Sequence, residues 1–350
     1  MIVLIISNNV LKCPYLRDYI SFLDEWKKPF KVISWNRLSI EENSIQYNLE
    51  QSEKLGSFYR WLSYLKYVRF ILINLNKLDA KKVIIFSIPL AMLLAPILKI
   101  KHIKYVLDIR DRSKGIKYFR FIQQSLIKNS VFSVISSPGF ADWLPQMDKG
   151  YVIDHNCSSD IGFSGQEMSI IKKNPIRILT IGTIRYFDTT SWMIKDLKNN
   201  SKFSISFVGE GPESNRIRRF CDENNFHNCE FYGRYLKSQE AGFVVKATFI
   251  NCLIDLTLNS KTCMSNRIYL SAQYGVPIIV ERNTYQARVV AKYNLGCIIN
   301  ERINLDKQLE NYLHDFKYEL FEAGCRSFLE KVRTDKNVFK ARLNEYCCEY

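Results

Sequence analysis

The chain has 350 residues, 47% hydrophobic and 24% charged, with only 14 glycines and 9 prolines, which excludes collagen-like, low-complexity and largely disordered chains. That length exceeds what one hydrophobic core usually serves, so two domains are expected. The formal charge of +15 is local: residues 51–150 hold 17 Lys and Arg against 6 Asp and Glu, a net of +11, whereas 301–350 hold 9 against 10.

A basic first half suits nucleic acid, an anionic membrane leaflet or an anionic substrate. The 10 cysteines include no C-x-x-C pair and sit mostly in apolar runs such as FINCLI (249–254), so they read as buried thiols rather than a disulfide framework. The apolar opening MIVLII precedes the first basic residue, Lys12, the wrong order for an export signal. A cytoplasmic protein is expected. The longest uncharged stretch, 83–98, is interrupted by Pro89 and Pro96 and is too short to cross a bilayer.

In chain order, β-branched runs predict strands at 2–7, 31–35, 82–87, 104–109, 131–136 and 151–154. A second series follows at 176–182, 203–209, 229–233, 248–254, 276–281 and 295–299. Several are continuously apolar, as strands covered on both faces of a parallel sheet must be. Helices are predicted over 12–27, 56–78, 115–129, 213–225 and 264–274, with a short apolar one from about Pro89. The fold class is therefore α/β, two Rossmann-like doubly wound parallel-sheet domains. The polar stretch 157–175 marks their boundary: 1–160 as the first domain, 161–305 as the second, and 306–350 as helices packing back on the first domain. In such sheets ligands bind beyond the carboxyl ends of the strands, here in a cleft between the domains, so the residues after each strand carry the argument.

In the second half the strand exits read GTIRYFD (182–188), GEGPES (209–214) and Gly233-Arg234. Gly182 allows close backbone approach, Arg185 is a fixed cation, and Gly209 and Gly211 make a tight turn into a helix whose N-terminal amides suit an anion. In MSNRIYLSAQYGVPIIV (264–280), Ser265 is a helix N-cap, Gly275 the stop, and Asn266 and Arg267 stand at the helix start. In the first half, Asp108, Arg110 and Asp111 follow a strand, Ser136, Ser137 and Gly139 form a turn after the next, and His155 and Asn156 follow 151–154.

The ordered set G-x-I-R (182–185), GEGP (209–212), EFYG (230–233) and NRIYLSAQYGVPII (266–279) resembles the donor domain of group 1 glycosyltransferases, the retaining enzymes of GT-B fold. YVLDIRD (105–111) and SSPGF (136–140) are similar to first-domain segments of its bacterial capsule and exopolysaccharide members. The resemblance covers about residues 2–300. It implies a nucleotide-sugar donor on the second domain, a saccharide or lipid-linked acceptor on the first, and a role in surface polysaccharide biosynthesis. By position it places Arg185 and Arg267 on the donor diphosphate, with Gly182, Gly209, Gly211, Gly233, Arg234, Ser265 and Asn266 around the donor. Asp108 or Asp111 would take or bind the acceptor hydroxyl proton, with Arg110, Ser137, His155 and Asn156 lining the acceptor side. Three departures stand out: Leu270 and Thr262 replace the family's glutamates, 186–190 (YFDTT) lacks its lysine, and 7–14 (SNNVLKCP) lacks its glycine-rich loop.

No D-x-D pair and no His ligand spacing occurs, so the expected route needs no metal or other cofactor, the arginines and helix N-termini meeting the leaving charge. The segment 56–78 reads as a crossover helix whose cationic face (Arg60, Lys66, Arg69) also suits anionic lipid headgroups, giving a peripheral membrane contact through the basic 51–150 region. Tyr59, Leu62, Leu65, Tyr67 and Phe70 would feed the core. Two rival readings stand beside this one: a non-catalytic GT-B relative that binds sugar or a partner, suggested by Leu270, and a basic nucleic-acid binder. Against the latter, the sequence has no RNP, KH, zinc-finger or helix-turn-helix signature, so nucleic acid is not the expected partner.

Overall fold

The computed structural model describes residues 1–40, 45–49, 57–112, 120–158, 161–165 and 174–349. The expected helical residues 115–119, most of the 157–175 linker and the Arg60 side chain lie outside the described residues. Two compact units emerge: residues 1–156 with 335–350, and residues 157–334. Residues 306–334 thus belong with the second unit, and only the last stretch belongs with the first.

The first unit is a parallel sheet in the order β3-β2-β1-β4-β5-β6-β7. Its strands are β1 (Ile2–Ile5), β2 (Phe30–Trp35), β3 (Ile45–Tyr47), β4 (Lys82–Ile85), β5 (Lys104–Ile109), β6 (Ser133–Ile135) and β7 (Val152–Ile153). β1 and β4 are buried throughout and β5 beyond Lys104, which is why they read as largely apolar runs. Helix α1 (Leu16–Glu25) sets Leu16, Tyr19, Phe22 and Leu23 against Leu4, Ile84, Val106 and Val134. Helices α2 (Ser57–Lys77), α3 (Ile88–Ile100) and α4 (Arg120–Asn129) follow in the chain, with α3 packed against both of the others. On α2, Tyr67 is buried and Lys66 and Arg69 are exposed as the sequence predicts, but Tyr59 points outward, 63% exposed.

The second unit is a parallel sheet ordered β10-β9-β8-β11-β12-β13. These are β8 (Ile176–Ile181), β9 (Phe203–Val208), β10 (Cys229–Gly233), β11 (Phe249–Cys252), β12 (Ile278–Glu281) and β13 (Gly296–Ile299). Alternate residues feed two cores, Leu179, Ile181 and Val280 on one face and Ile178, Phe207 and Ile279 on the other. Its helices are α5 (Phe187–Asp196), α6 (Ser214–Glu223), α7 (Glu240–Val244), α8 (Asn266–Tyr274), α9 (Tyr285–Tyr293) and α10 (Leu305–His314).

Helix α11 (Tyr318–Cys348) serves both cores in turn. Phe321, Cys325, Phe328, Leu329 and Val332 join the second-unit core, and Phe339, Leu343 and Tyr346 join that of the first. Both groups recur at three- and four-residue spacing, one helical stripe. The Tyr346 hydroxyl donates to the carbonyls of Val83 and Lys104 at 3.0 Å, pinning the stripe to β4 and β5.

Candidate functional site

Both sheets reverse their strand order once, between β1 and β4 and between β8 and β11. Such a switch point opens a crevice at the carboxyl ends of the strands. In the second unit, Arg267 bridges it. Its Nε donates to Ile181 O at 2.7 Å and a terminal nitrogen to Thr183 O at 3.1 Å, both on the β8 exit. The other terminal nitrogen donates to Asn251 O on β11 at 3.1 Å.

Helix α8 sets this up. Ser265 is its N-cap, accepting from the Arg267 amide at 3.3 Å, and Gly275 ends it at φ +64°, as the sequence predicts. Asn266, at the first helical position, is exposed. Arg267 itself is half-buried among carbonyls with no carboxylate, and two of its five N–H groups stay uncommitted among the described residues. Burial pulls its proton affinity down, and the nearby Arg185 adds repulsion. A guanidinium so placed favours any anion that reaches it.

Arg185 is the second cation. It is exposed and its side chain has no ion pair or hydrogen bond among the described residues. Tyr186 beside it holds φ +61°, a left-handed conformation that costs a non-glycine residue about 1 kcal/mol or more. That turn starts α5 directly after Arg185 and fixes where the guanidinium leaves the backbone.

The glycines act differently from expectation. A Cβ on Gly209 would stand 2.1 Å from Gly182 O, and one on Gly211 would stand 2.1 Å from Ile184 O. Their task is close contact between the β8 and β9 exit loops. Their amides are not free for an anion either: Gly209 donates to Gly233 O and Gly211 to the Ser214 hydroxyl. Gly182 and Gly233 need positive φ, +90° and +72°. Arg234 extends into solvent and pairs with Glu210 at 2.6 Å, an exposed ion pair that ties the β9 and β10 exits weakly.

Sequence reasoning missed a partly buried clamp beside this edge. Glu281, at the end of β12, receives Arg302 Nε at 3.1 Å; Arg302 also donates to the Thr189 hydroxyl at 3.0 Å and to Ile254 O at 3.3 Å. Thr189 in turn donates to Asp255. The only sequence signal was a strand ending in an acid, with its partner 21 residues away.

The first-unit candidates fare otherwise. Asp108 is fully buried: Tyr19 and Arg110 donate to Oδ2, both at 2.6 Å, and Oδ1 has no partner. Burial pushes its carboxyl above the usual range against the pull of Arg110. Arg110 also pairs with Asp154 and lies over the Tyr15 ring, and Lys336 closes the chain to Asp154 at 3.2 Å and Asp18 at 2.6 Å. Ser137 is buried as the cap of a short turn, accepting from Gly139 N, and His155 is buried against Asp335 at 3.1 Å. Asp108, Arg110, Ser137 and His155, expected to meet an acceptor, therefore belong to the wall of the unit. Asp111 is exposed and Asn156 half-buried. Leu270 packs partly buried against the second-unit core, and Thr262 bonds the carbonyls of its own turn.

No family model and no curated protein matches this sequence. Solved structures do. Sucrose-phosphate synthase from Thermosynechococcus elongatus superposes with a TM-score of 0.68 at 12% identity, over 98% of this chain and 97% of that one. HepE of Anabaena, in complex with UDP and glucose, gives 0.65 at 10% identity over 98% and 99%. The lipopolysaccharide outer core galactosyltransferase WaaB gives 0.65 at 12% identity over 99% and 100%. The fold is GT-B. At such identities the likeness concerns the architecture, and the chemistry rests on the site.

Proposed function

We propose that this protein is a glycosyltransferase, moving a sugar from a nucleoside-diphosphate donor held by the second unit to a saccharide or lipid-linked acceptor recognised by the first. One observation carries the reading: two guanidinium groups with no carboxylate partner among the described residues, Arg185 and Arg267, stand at the switch-point edge of the second sheet. A diphosphate leaving group develops negative charge as the glycosidic bond breaks, and fixed cations that meet it lower the barrier; one such group is worth about 10²–10³ in rate. Arg267 is preorganised by its three carbonyl acceptors, whereas Arg185 is free to close on the ligand. Complexes of the GT-B protein HepE with UDP and with UDP-glucose support a donor of this class.

These cations belong to the chain itself, so the proposed reaction needs no metal to meet the leaving charge; retention of the sugar's anomeric configuration and a surface polysaccharide or lipid-linked product are what the resemblance to group 1 glycosyltransferases implies. On the acceptor side, Asp111 is the solvent-exposed carboxylate of the β5 exit and the better candidate to receive the hydroxyl proton.

The test is release of nucleoside diphosphate from UDP-, GDP- and ADP-sugars with and without lipid extract, run with and without chelator, beside a thermal-shift series. Release that persists in chelator and a donor-dependent shift lost in Arg185→Ala support the proposal. No release from any donor together with no shift overturns it. A shift without release favours a sugar-binding, non-catalytic protein, the reading that Leu270 suggests.

A further inference from the structure

The charge of the first unit is divided by side. Helices α2, α3 and α4 contain not one aspartate or glutamate. Between residues 57 and 107 the sole acid is Asp79, which pairs with Lys81. Helix α1 and residues 335–348 of α11, which share the core on the other side, carry acids and bases together. An all-cationic helical layer is not what a merely solvated face needs, since mixed signs serve solubility equally well and avoid repulsion.

A groove of about 530 Å³ opens between α3 and α4 within this layer, in the size range of about 300–1,000 Å³ typical of small-ligand sites. Met92, Pro96, Ile122 and Leu126 are among its apolar walls, and the exposed Lys99 and Lys104 also line it. Beside it, Ile100 is 77% exposed and Phe121 is 87% exposed. Lys99 has no ion pair among the described residues, and Lys104 has only a half-exposed one with Glu349 at 3.3 Å. An apolar slot lined also by exposed cations, with outward-facing hydrophobes nearby in the chain, matches a molecule with an anionic head and a hydrocarbon body. A second copy of this chain fits poorly, because a symmetric contact would set these cations against their own images.

We propose that this groove seats one acyl chain of an anionic phospholipid at a membrane surface, with the headgroup phosphate between Lys99 and Lys104 and with Ile100 and Phe121 in the interfacial zone. The contact predicted from sequence for the 56–78 helix is thereby moved to α3 and α4. One inserted chain gives only marginal, reversible adsorption, and the cations supply the second attraction, so binding is weak, lipid-selective and salt-sensitive. The inference goes beyond the donor-site reading and does not depend on it.

The full chain is sedimented with vesicles of phosphatidylcholine alone or mixed with phosphatidylglycerol, over a salt series. Binding is expected to the mixed vesicles only, falling as salt rises. Lys99→Glu with Lys104→Glu should weaken it at least about twentyfold, from roughly fivefold for each lost cation. Ser125→Trp, which fills the groove, should do the same; Phe121→Ser, at an open position, serves if that variant does not fold. Equal binding to neutral vesicles, or binding unchanged in these variants, overturns the proposal. So does self-association without vesicles that Phe121→Ser abolishes, since the face would then belong to a second copy. The donor thermal shift should persist in every variant, so failure here is distinct from failure of the glycosyltransferase reading.

Discussion

At the end of β5 in the first unit, Asp108, Arg110, Asp154, Lys336 and Asp18 hand charge along one chain of ion pairs. At the end of β8 in the second, Arg185 and Arg267 meet no carboxylate among the described residues. Both edges are strand exits of doubly wound sheets, and from sequence alone they look equally rich in chemistry. The difference separates charges that the fold satisfies from charges left for a ligand. A closed network fixes geometry, whereas an open cation has electrostatic free energy still to gain from an anion.

The strongest way to break this comparison is Arg110→Ala, which strands Asp108 in the interior and leaves Asp154 to Lys336 alone. A loss of about 3–5 kcal/mol is expected, read as a lowered urea midpoint, with little direct effect on donor binding. Arg267→Met should cost less, about 1–3 kcal/mol for the three carbonyls it leaves, yet abolish the donor-induced thermal shift. Gly211→Ala forces a methyl group against the Ile184 carbonyl. About 1–3 kcal/mol of strain is expected, with weaker donor affinity by calorimetry because the β8 exit loop moves. Arg185→Ala should leave stability within about 0.5 kcal/mol while turnover falls about a hundredfold in the diphosphate-release assay.

The smallest effect is a pH dependence with a definite sign. The Asp108 carboxyl is raised in the folded state by burial, so the folded chain holds its proton more tightly than the unfolded chain. Its contribution to stability is therefore full below the ordinary value of 3.8 and is lost as pH rises through the raised one. Against Asp108→Asn, the wild type should lose relative stability as pH climbs through that window. A flat difference between the two denaturation curves would contradict the burial argument.

Strands buried on both faces announced themselves, because Val83–Ile85 and Ile278–Val280 have no solvent-facing position to break the apolar run. β3 did not: Ile45–Tyr47 lies half-buried at the sheet edge between polar residues. Helix α5 is not among the helices the sequence predicts, since FDTT gives weak helical propensity and its start is set by the strained Tyr186. At the site, Arg185, Ser265 and Arg267 were legible from strand exits and a helix cap, which are local signals. The closure of the first-unit network was not, because Lys336 reaches Asp154 across 182 residues of sequence. The glycine turn showed its positions but not its purpose, since close loop contact and phosphate approach ask for the same residue type.

Because Phe339, Leu343 and Tyr346 complete the core that Leu4, Tyr19 and Phe22 begin, the first unit depends on residues translated after its neighbour. On the ribosome, residues 157–334 emerge with all of their own core partners, whereas the earlier sheet waits with an uncovered apolar flank until the far end of α11 is released. The half of the protein made first is thus the last to mature, and a nascent chain stalled before residue 339 would present that flank to chaperones.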